Sequence, residues 1–331
     1  MGKFRNAERP RHASFKKASP YFSDTARADG VFQGKPRPFC LPLERSEENL
    51  FSEIRSSATA YFSSEEIKWH QGRQRRPSNH MCDSQVCCLN FLFPFADKPG
   101  ALVELLRPVF PGIHQMVAME APGQYVSYEW IGLKNYLGER LPRHAKRTRG
   151  ALFTSADAAV MFERDDGLRQ IALIEWKYTE AYYSSFIRFA RKSGTDRLGI
   201  YAHLLNRDDC PVDKYLLPSL DALFYDPFDQ LMRQQLLAHQ MERAQELGAH
   251  VVSVLHIAPA HNVDLPRVTS PLLKDLGDTM IAVWKRLVRR PDRFSSTSTE
   301  ELFGRFPIKR FPQLAIWWEY VTARYSWLGG M

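Results

Sequence analysis

The sequence predicts an α/β (α+β) fold, a mixed central β-sheet flanked by helices, and three observations carry that expectation. Two apolar runs of strand length, "SADAAVMFE" and "QIALIEWK", flank the turn signal Asp165-Asp166-Gly167. The β-branched run "AHVVSVLHIAP" (249–259) has the composition of a further strand. Segments with apolar residues at helical spacing lie before and after these strands, and such a mixture builds a domain on one sheet.

Residues 1–45 are rich in Arg, Lys, Ser and Pro, show no helical or strand period, and read as a flexible basic arm. The remainder, 46–331, reads as a single domain. "SEENLFSEIRSSATAYFSSEEI" (46–67) has capping-box patterns at Ser46 and at Ser63-Ser64 and predicts one or two short helices. "MCDSQVCCLNFLFPF" predicts a buried helix to about Phe93, capped by Ser78 or Asn79, and "PGALVELLRPVF" a short helix ended by Pro111. "QYVSYEWIGL" alternates like a strand. After the two central strands, "EAYYSSFIRFARKSG" predicts a helix closed by Gly194. Asp226 and Pro227 are placed as N-cap and first residue of a long helix that Gly248 ends. An amphipathic helix over about Leu272 to Val288 and an aromatic-rich helix in "FPQLAIWWEYVTARYSWL" complete the chain.

At 331 residues the chain can bury a large core, and its 44% hydrophobic and 25% charged residues are close to globular averages. The 45 Lys and Arg against 37 Asp and Glu leave a net charge of +8, which suits a polyanionic partner. Five cysteines (Cys40, Cys82, Cys87, Cys88 and Cys210), odd in number and without CxxC spacing, argue against a disulfide framework and a zinc ribbon, and the three in "MCDSQVCCLNFLF" read as buried thiols of a reducing cytoplasm. The start has no apolar h-region and no window holds eighteen uncharged apolar residues, so a soluble cytoplasmic protein without membrane association is expected. GxxxxGK[ST], a GxGxxG after a strand, HExxH and GxSxG are all missing. His250, His256 and His261 share no helical face or finger spacing and read as sheet-edge or loop residues.

Chemistry enters with Asp157, Glu175 and Lys177, charges set into runs that otherwise read as buried strands. If the turn centres on Asp166, paired residue numbers sum to 332 and Asp157 lies opposite Glu175, with Lys177 on the same face two residues along. Opposed residues have Cβ atoms about 4.5 to 5.5 Å apart. Two carboxylates at that distance repel by roughly 3 kcal/mol at an effective dielectric near 20. A positive group must offset this. Lys177 alone would make a structural ion cluster, whereas a Mg2+ ion held by two carboxylates, with water and a phosphate completing its shell, would make a hydrolytic site.

"SADAAVMF" followed by "ALIEWKYTE" resembles the core of the PD-(D/E)XK, or restriction-endonuclease-like, nuclease superfamily, an acidic residue on one strand and Glu-x-Lys on the next. "SNHMCDSQVCCLNFLFPF", "SYEWIG", "SADAA" and "IEWKYTE" together are similar to a group of uncharacterised prokaryotic restriction-endonuclease-like proteins, over most of the span 69–325. The resemblance implies a restriction-endonuclease-like core and Mg2+-dependent (or Mn2+-dependent) phosphodiester hydrolysis, with Asp157 and Glu175 as metal ligands and Lys177 as the catalytic lysine. Ala156 stands where the motif has Pro. For the additional acidic residue the choice is Glu129, ahead of Glu104 and Glu139; Gln230 and Gln234, four apart on one helical face, fit the glutamine of related nucleases, with Gln234 taken as the catalytic one. Glu180 either extends the site or begins the next helix, and Gln85 is a further candidate.

The expectation is therefore a metal-dependent endonuclease acting on DNA, ahead of RNA, in a restriction or defence role and as a possible homodimer. Arg140, Arg143, Lys146, Arg147 and Arg149, with Arg73 in "HQGRQRRPSNH", are the expected backbone contacts. The competing reading is a catalytically inactive nucleic-acid-binding protein on a nuclease-like fold.

Overall fold

The computed structural model describes residues 2–73, 75–139, 146–151, 153–191 and 193–329. The stretch read as a flexible arm begins instead with a helix, α1 (Lys3–Ala18), that passes through Pro10. Its buried residues Phe4, Glu8, His12 and Lys16 recur every fourth position. This stripe is helical in period but mostly polar, so apolar periodicity did not reveal it. Its polar groups are paired: Glu8 accepts from the Tyr178 hydroxyl at 2.5 Å and from Trp327 Nε1 at 3.1 Å, and His12 Nε2 lies 2.6 Å from the same hydroxyl. Lys16 donates to the carbonyls of Ala28 and Cys40 at 2.8 and 2.9 Å.

A small hairpin of β1 (Gly30–Phe32) and β2 (Lys35–Arg37) follows. Of the helices expected over 46–67, the first is 3-10 (Leu43–Asn49) and the second is α2 (Arg55–Ser64). The buried helix is α3 (Ser84–Leu92), capped not by Ser78 or Asn79 but by Asp83, whose Oδ1 accepts from Val86 N at 3.0 Å. The short helix α4 (Pro99–Leu106) comes next.

The central sheet contains β3 (Ile113–Val117), β4 (Val126–Trp130), β5 (Ala156–Arg164), β6 (Arg169–Trp176), β7 (Val251–Ala258) and β8 (Phe294–Ser298). Its order is β3-β5-β6-β7-β8, and β4 also pairs with β5. Both β3 and β4 run antiparallel to β5 along one edge, β3 against Met161 to Arg164 and β4 against Ala156 to Val160. The β5–β6 pair is the expected hairpin. Gly167 takes the left-handed conformation (φ 77), and the register from Ala158↔Ile174 to Glu163↔Arg169 keeps the sum of 332. From β6 through β8 the strands are parallel. The sheet is thus mixed, as expected, although β3 and the polar β8 carried no clear strand pattern.

The remaining helices are α5 (Arg197–Leu205), α6 (Phe228–Arg243), α7 (Met280–Leu287), α8 (Thr299–Gly304) and α9 (Ala315–Arg324). Two expectations fail here. The 180–194 stretch forms no helix among its described residues: Ile187 N donates to Phe224 O at 2.9 Å, and Arg188 is held by Asp196 and Asp221 at 2.8 Å, so its polar groups bond across rather than along the chain. At α6, Pro227 occupies the cap position and Asp226 does not cap; its carboxylate accepts from Gln230 Nε2 at 3.1 Å.

Apolar side chains fill both faces of the sheet. Ala158, Val160, Ala172, Ile174, Leu255 and Ile257 pack with residues of α3, α4, α8 and α9. Ala159, Met161, Ile171, Leu173, Val252 and Val254 pack with residues of α5, α6 and α7. The two cores make a helix–sheet–helix sandwich, and every cysteine is buried and free.

Arg149 joins the layers at the β4 edge. Its guanidinium donates to the Tyr128 carbonyl at 2.9 Å through Nε, to the Tyr61 hydroxyl of α2 at 2.9 Å and to Glu120 at 2.5 Å. Its side chain is 10% exposed, so truncation would leave the Tyr128 carbonyl without this donor and Glu120 without its counter-charge, held by the Tyr61 hydroxyl. Arg149→Ala is expected to cost about 3 kcal/mol in chemical denaturation. Lys146→Ala, at an exposed ion pair with Glu66, should leave stability nearly unchanged. Equal effects would refute the assignment.

Candidate active site

The register that builds the sheet also builds the site. Asp157 is the second residue of β5 and Glu175 the penultimate residue of β6, so the hairpin sets them across from one another at the carboxyl ends of the parallel strands. Both share the α6 face with Ala159 and Leu173, as alternation along the strands requires. On the other side of Asp157, Glu129 falls between the Tyr128–Ala158 and Trp130–Ala156 pairs of β4 and β5. Its backbone is left-handed (φ 50), a conformation that costs a residue with a Cβ energy and concentrates at functional sites. Three carboxylates therefore stand in a row over three neighbouring strands.

Each is held by the chain around it. Asp157 Oδ2 accepts from the Trp176 backbone N–H at 2.7 Å. Glu175 Oε1 pairs with Lys177 Nζ at 2.7 Å, and its Oε2 accepts from Gln234 Nε2 at 2.9 Å. The Gln234 amide also donates to the Ser155 carbonyl at 2.5 Å, and its Oε1 is buried without a hydrogen-bond partner. Lys177 donates onward to Gln230 Oε1 at 2.6 Å. Glu129 accepts from Gln85 Nε2 at 2.6 Å and from Ser155 Oγ at 2.7 Å. One turn of α6 thus delivers both glutamines, one to the lysine and one to its acid.

The electrostatics are those of an acid cluster short of positive charge. Burial, then Glu175, pushes the Asp157 carboxyl well above the usual carboxylate range, with Lys177 and the Trp176 N–H opposing. Burial also raises Glu129, against its bonds to Ser155 and Gln85. At Lys177 burial works against the charge, yet Glu175, Tyr182 and Asp157 together hold its pKa well above that of a free lysine. His256 on β7, paired in register with Glu175, is pushed down to about 3 by burial and by Lys177 and stays neutral. It lies inside the sheet, not at its edge as the sequence suggested.

Asp157, Glu175, Lys177, Glu129, Gln230, Gln234, Gln85 and Glu180 all line one cleft of about 450 Å³. The lysine bridge therefore coexists with an accessible site. Glu139 and Glu104 do not join them: Glu139 accepts from Thr154 and Tyr201, and Glu104 pairs with Arg310 at 2.7 Å. Glu180 accepts from Tyr178 N at 2.6 Å and begins no helix. His70, Tyr182 and Arg233 also line the cleft, and no spacing in the sequence pointed to them. Arg233 is pinned by Asp229 at 2.9 Å and Thr154 at 3.0 Å.

The donor set is one a hard divalent cation can use: carboxylate oxygens of Asp157 and Glu175, with the unpartnered Gln234 carbonyl oxygen beside them. Among the described residues no group of three or more His, Cys, Asp or Glu side chains is placed to hold a metal ion, whereas Mg2+ keeps much of its water and needs only one or two protein carboxylates.

The expected phosphate contacts divide. Arg140 and Arg143 lie outside the described residues. Lys146 and Arg73 are exposed. Arg147 donates to the Ile131 carbonyl and lies 5.6 Å from the Phe153 ring centroid, and Arg149 is the structural clasp described above. Backbone carbonyls thus accept from the guanidiniums of both Arg147 and Arg149. Gly150 shows how tightly this loop is pressed to the domain: its φ is 71, and a Cβ there would meet the Lys68 carbonyl oxygen at 2.6 Å.

No curated protein and no solved structure matches the chain. Residues 5–326, nearly its whole length, match the family described as "Restriction Endonuclease associating with ARP". With that match over nearly its whole length, the chain belongs to this restriction endonuclease family.

Proposed function

We propose that the protein is a Mg2+-dependent endonuclease that hydrolyses DNA phosphodiester bonds, Mn2+ serving in place of Mg2+. The observation that carries this is the convergence of Asp157, Glu175 and Lys177 in one accessible cleft, with burial and Glu175 holding Asp157 far above the usual carboxylate range. The family description supports a restriction role beside the ARP component that it names.

Asp157 and Glu175 would hold the cation. When bound, it supplies Lewis-acid stabilisation of the charged phosphate and lowers the pKa of a water. Lys177, kept protonated by Glu175, offers its ammonium protons to the attacking water and to the phosphoryl oxygens. Gln230 fixes the reach of Lys177, and Gln234 orients Glu175. Glu129, clamped by Gln85 and Ser155, borders the same row and adds negative charge that favours a cation. Exposed Arg73 and Lys146 are the described cations of the expected set available to track a nucleic-acid backbone.

Purified protein with Mg2+ or Mn2+ should cut plasmid, linear or modified DNA in preference to RNA, and Asp157→Ala or Lys177→Ala should each slow cleavage at least about 100-fold. Cleavage that survives both substitutions would sink the site. Binding without cleavage of any substrate would favour the inactive nucleic-acid-binding reading.

A second expectation concerns the metal-free protein. Asp157 titrates higher folded than unfolded, so its contribution to stability is present below the ordinary carboxylate pKa and is lost as pH rises toward the raised value. Neutral pH is therefore the costly side. Asp157→Asn keeps an acceptor for the Trp176 N–H and should raise Tm in EDTA by roughly 2 °C. Mg2+ should raise Tm of the wild type and leave the variant nearly unchanged. A variant less stable in EDTA than the wild type would count against this account.

A further inference from the structure

His70 lines the same cleft as Glu129, Asp157 and Glu175, yet nothing above uses it. Its ring is 57% exposed, and Nδ1 lies 3.5 Å from Oδ2 of Asp83, a carboxylate with no exposed surface. Asp83 cannot drift, because its other oxygen caps α3. The His70 main chain is equally fixed: its N–H donates to Gln85 Oε1 at 2.8 Å, and the other end of that amide donates to Glu129. With Nδ1 turned to Asp83, Nε2 is the ring nitrogen left for a ligand in the cleft.

We propose that His70, oriented by Asp83, donates the proton to the leaving oxygen when the phosphodiester is cut; the inference rests on the nuclease reading and adds a catalytic residue to it. The two flanks of the cleft supply the geometry. Lys177 is bonded to Gln230 of α6, on one face of the sheet, while Asp83 heads α3, on the other. In-line displacement brings the nucleophile and the leaving group to opposite sides of phosphorus. A group on the α6 flank serves the incoming water, and one on the α3 flank serves the departing oxygen.

The step balances. The water oxygen bonds to phosphorus and its proton passes to solvent, while the bond from phosphorus to the leaving oxygen breaks. The Nε2 proton of the imidazolium goes to that oxygen, and the neutral ring regains a proton from solvent. The charged groups facing the ring are Asp83 from the head of α3, Glu129 from β4 and Glu180 from the segment after β6; Asp83 contributes most, and together they raise the ring's pKa against burial. A protonated histidine near neutral pH is what this role needs.

The test compares single-turnover cleavage of an oligonucleotide, cut at a mapped position, with that of the same oligonucleotide carrying sulfur as the bridging leaving atom at that position. A thiolate departs without a proton donor. His70→Gln should slow cleavage of the oxygen ester at least about 100-fold and of the sulfur ester less than about tenfold, whereas Lys177→Ala should be slow on both. Asp83→Asn, which keeps an equally good helix cap, should move the alkaline limb of the pH–rate profile to lower pH, because loss of the negative charge lets His70 deprotonate sooner. Equal losses on both esters, or wild-type rates for His70→Gln, would overturn the assignment alone. A wild type inert toward both esters would overturn the nuclease reading and this inference with it.

Discussion

The site depends on one constraint, that two buried carboxylates are kept a single strand spacing apart. A β-ladder is among the few devices that can impose this, because its hydrogen bonds set the separation whatever the side chains prefer. The chain then distributes the cost. The Trp176 backbone N–H takes one oxygen of Asp157, Lys177 and Gln234 take the two oxygens of Glu175, and Glu129 is held back by Gln85 and Ser155. Those partners come from both helical layers, so the sandwich on either side of the sheet serves the acid row as well as the core. The left-handed backbone at Glu129 shows that the β4 edge also gives up some local stability to bring its acid into line.

How much of this could be read from the sequence follows from where the information was local. The hairpin was legible because Asp165-Asp166-Gly167 demands a tight turn, and a turn fixes register; the facing of Asp157 and Glu175 followed by counting. The α6 glutamines were legible because four-residue spacing on a helix sets one face. His70 was not. It reaches the cleft through Asp83 and Gln85, contacts that exist only after α3 has packed. The 180–194 stretch has helix-like spacing, yet its backbone and Arg188 bond to residues 196 to 224, a tertiary preference that no local pattern records.

Charge was the least legible property. A dense basic run near a presumed phosphate site invites the reading that every cation faces the ligand. Arg149 shows the other use of a guanidinium, whose planar fork can satisfy several buried acceptors at once. Lys16, Glu8 and His12 show the same from the opposite direction: polar residues in what looks like a solvated arm are interior groups with fixed partners.

That interior network has a consequence for the order in which the site is completed. Tyr178, the residue after Lys177, is bonded to Glu8 and His12, 170 and 166 positions away, and Glu8 also accepts from Trp327, 319 positions from it. Contacts of such separation bear the full loop-closure entropy of the intervening chain before they contribute to stability. A chain still emerging from the ribosome already contains Asp157, Glu175, Lys177 and the Glu8 that accepts from Tyr178, but not Trp327, which also donates to Glu8. The surroundings of Lys177 are thus completed only once the segment after α9 is in place, with α1 and that segment meeting behind β6.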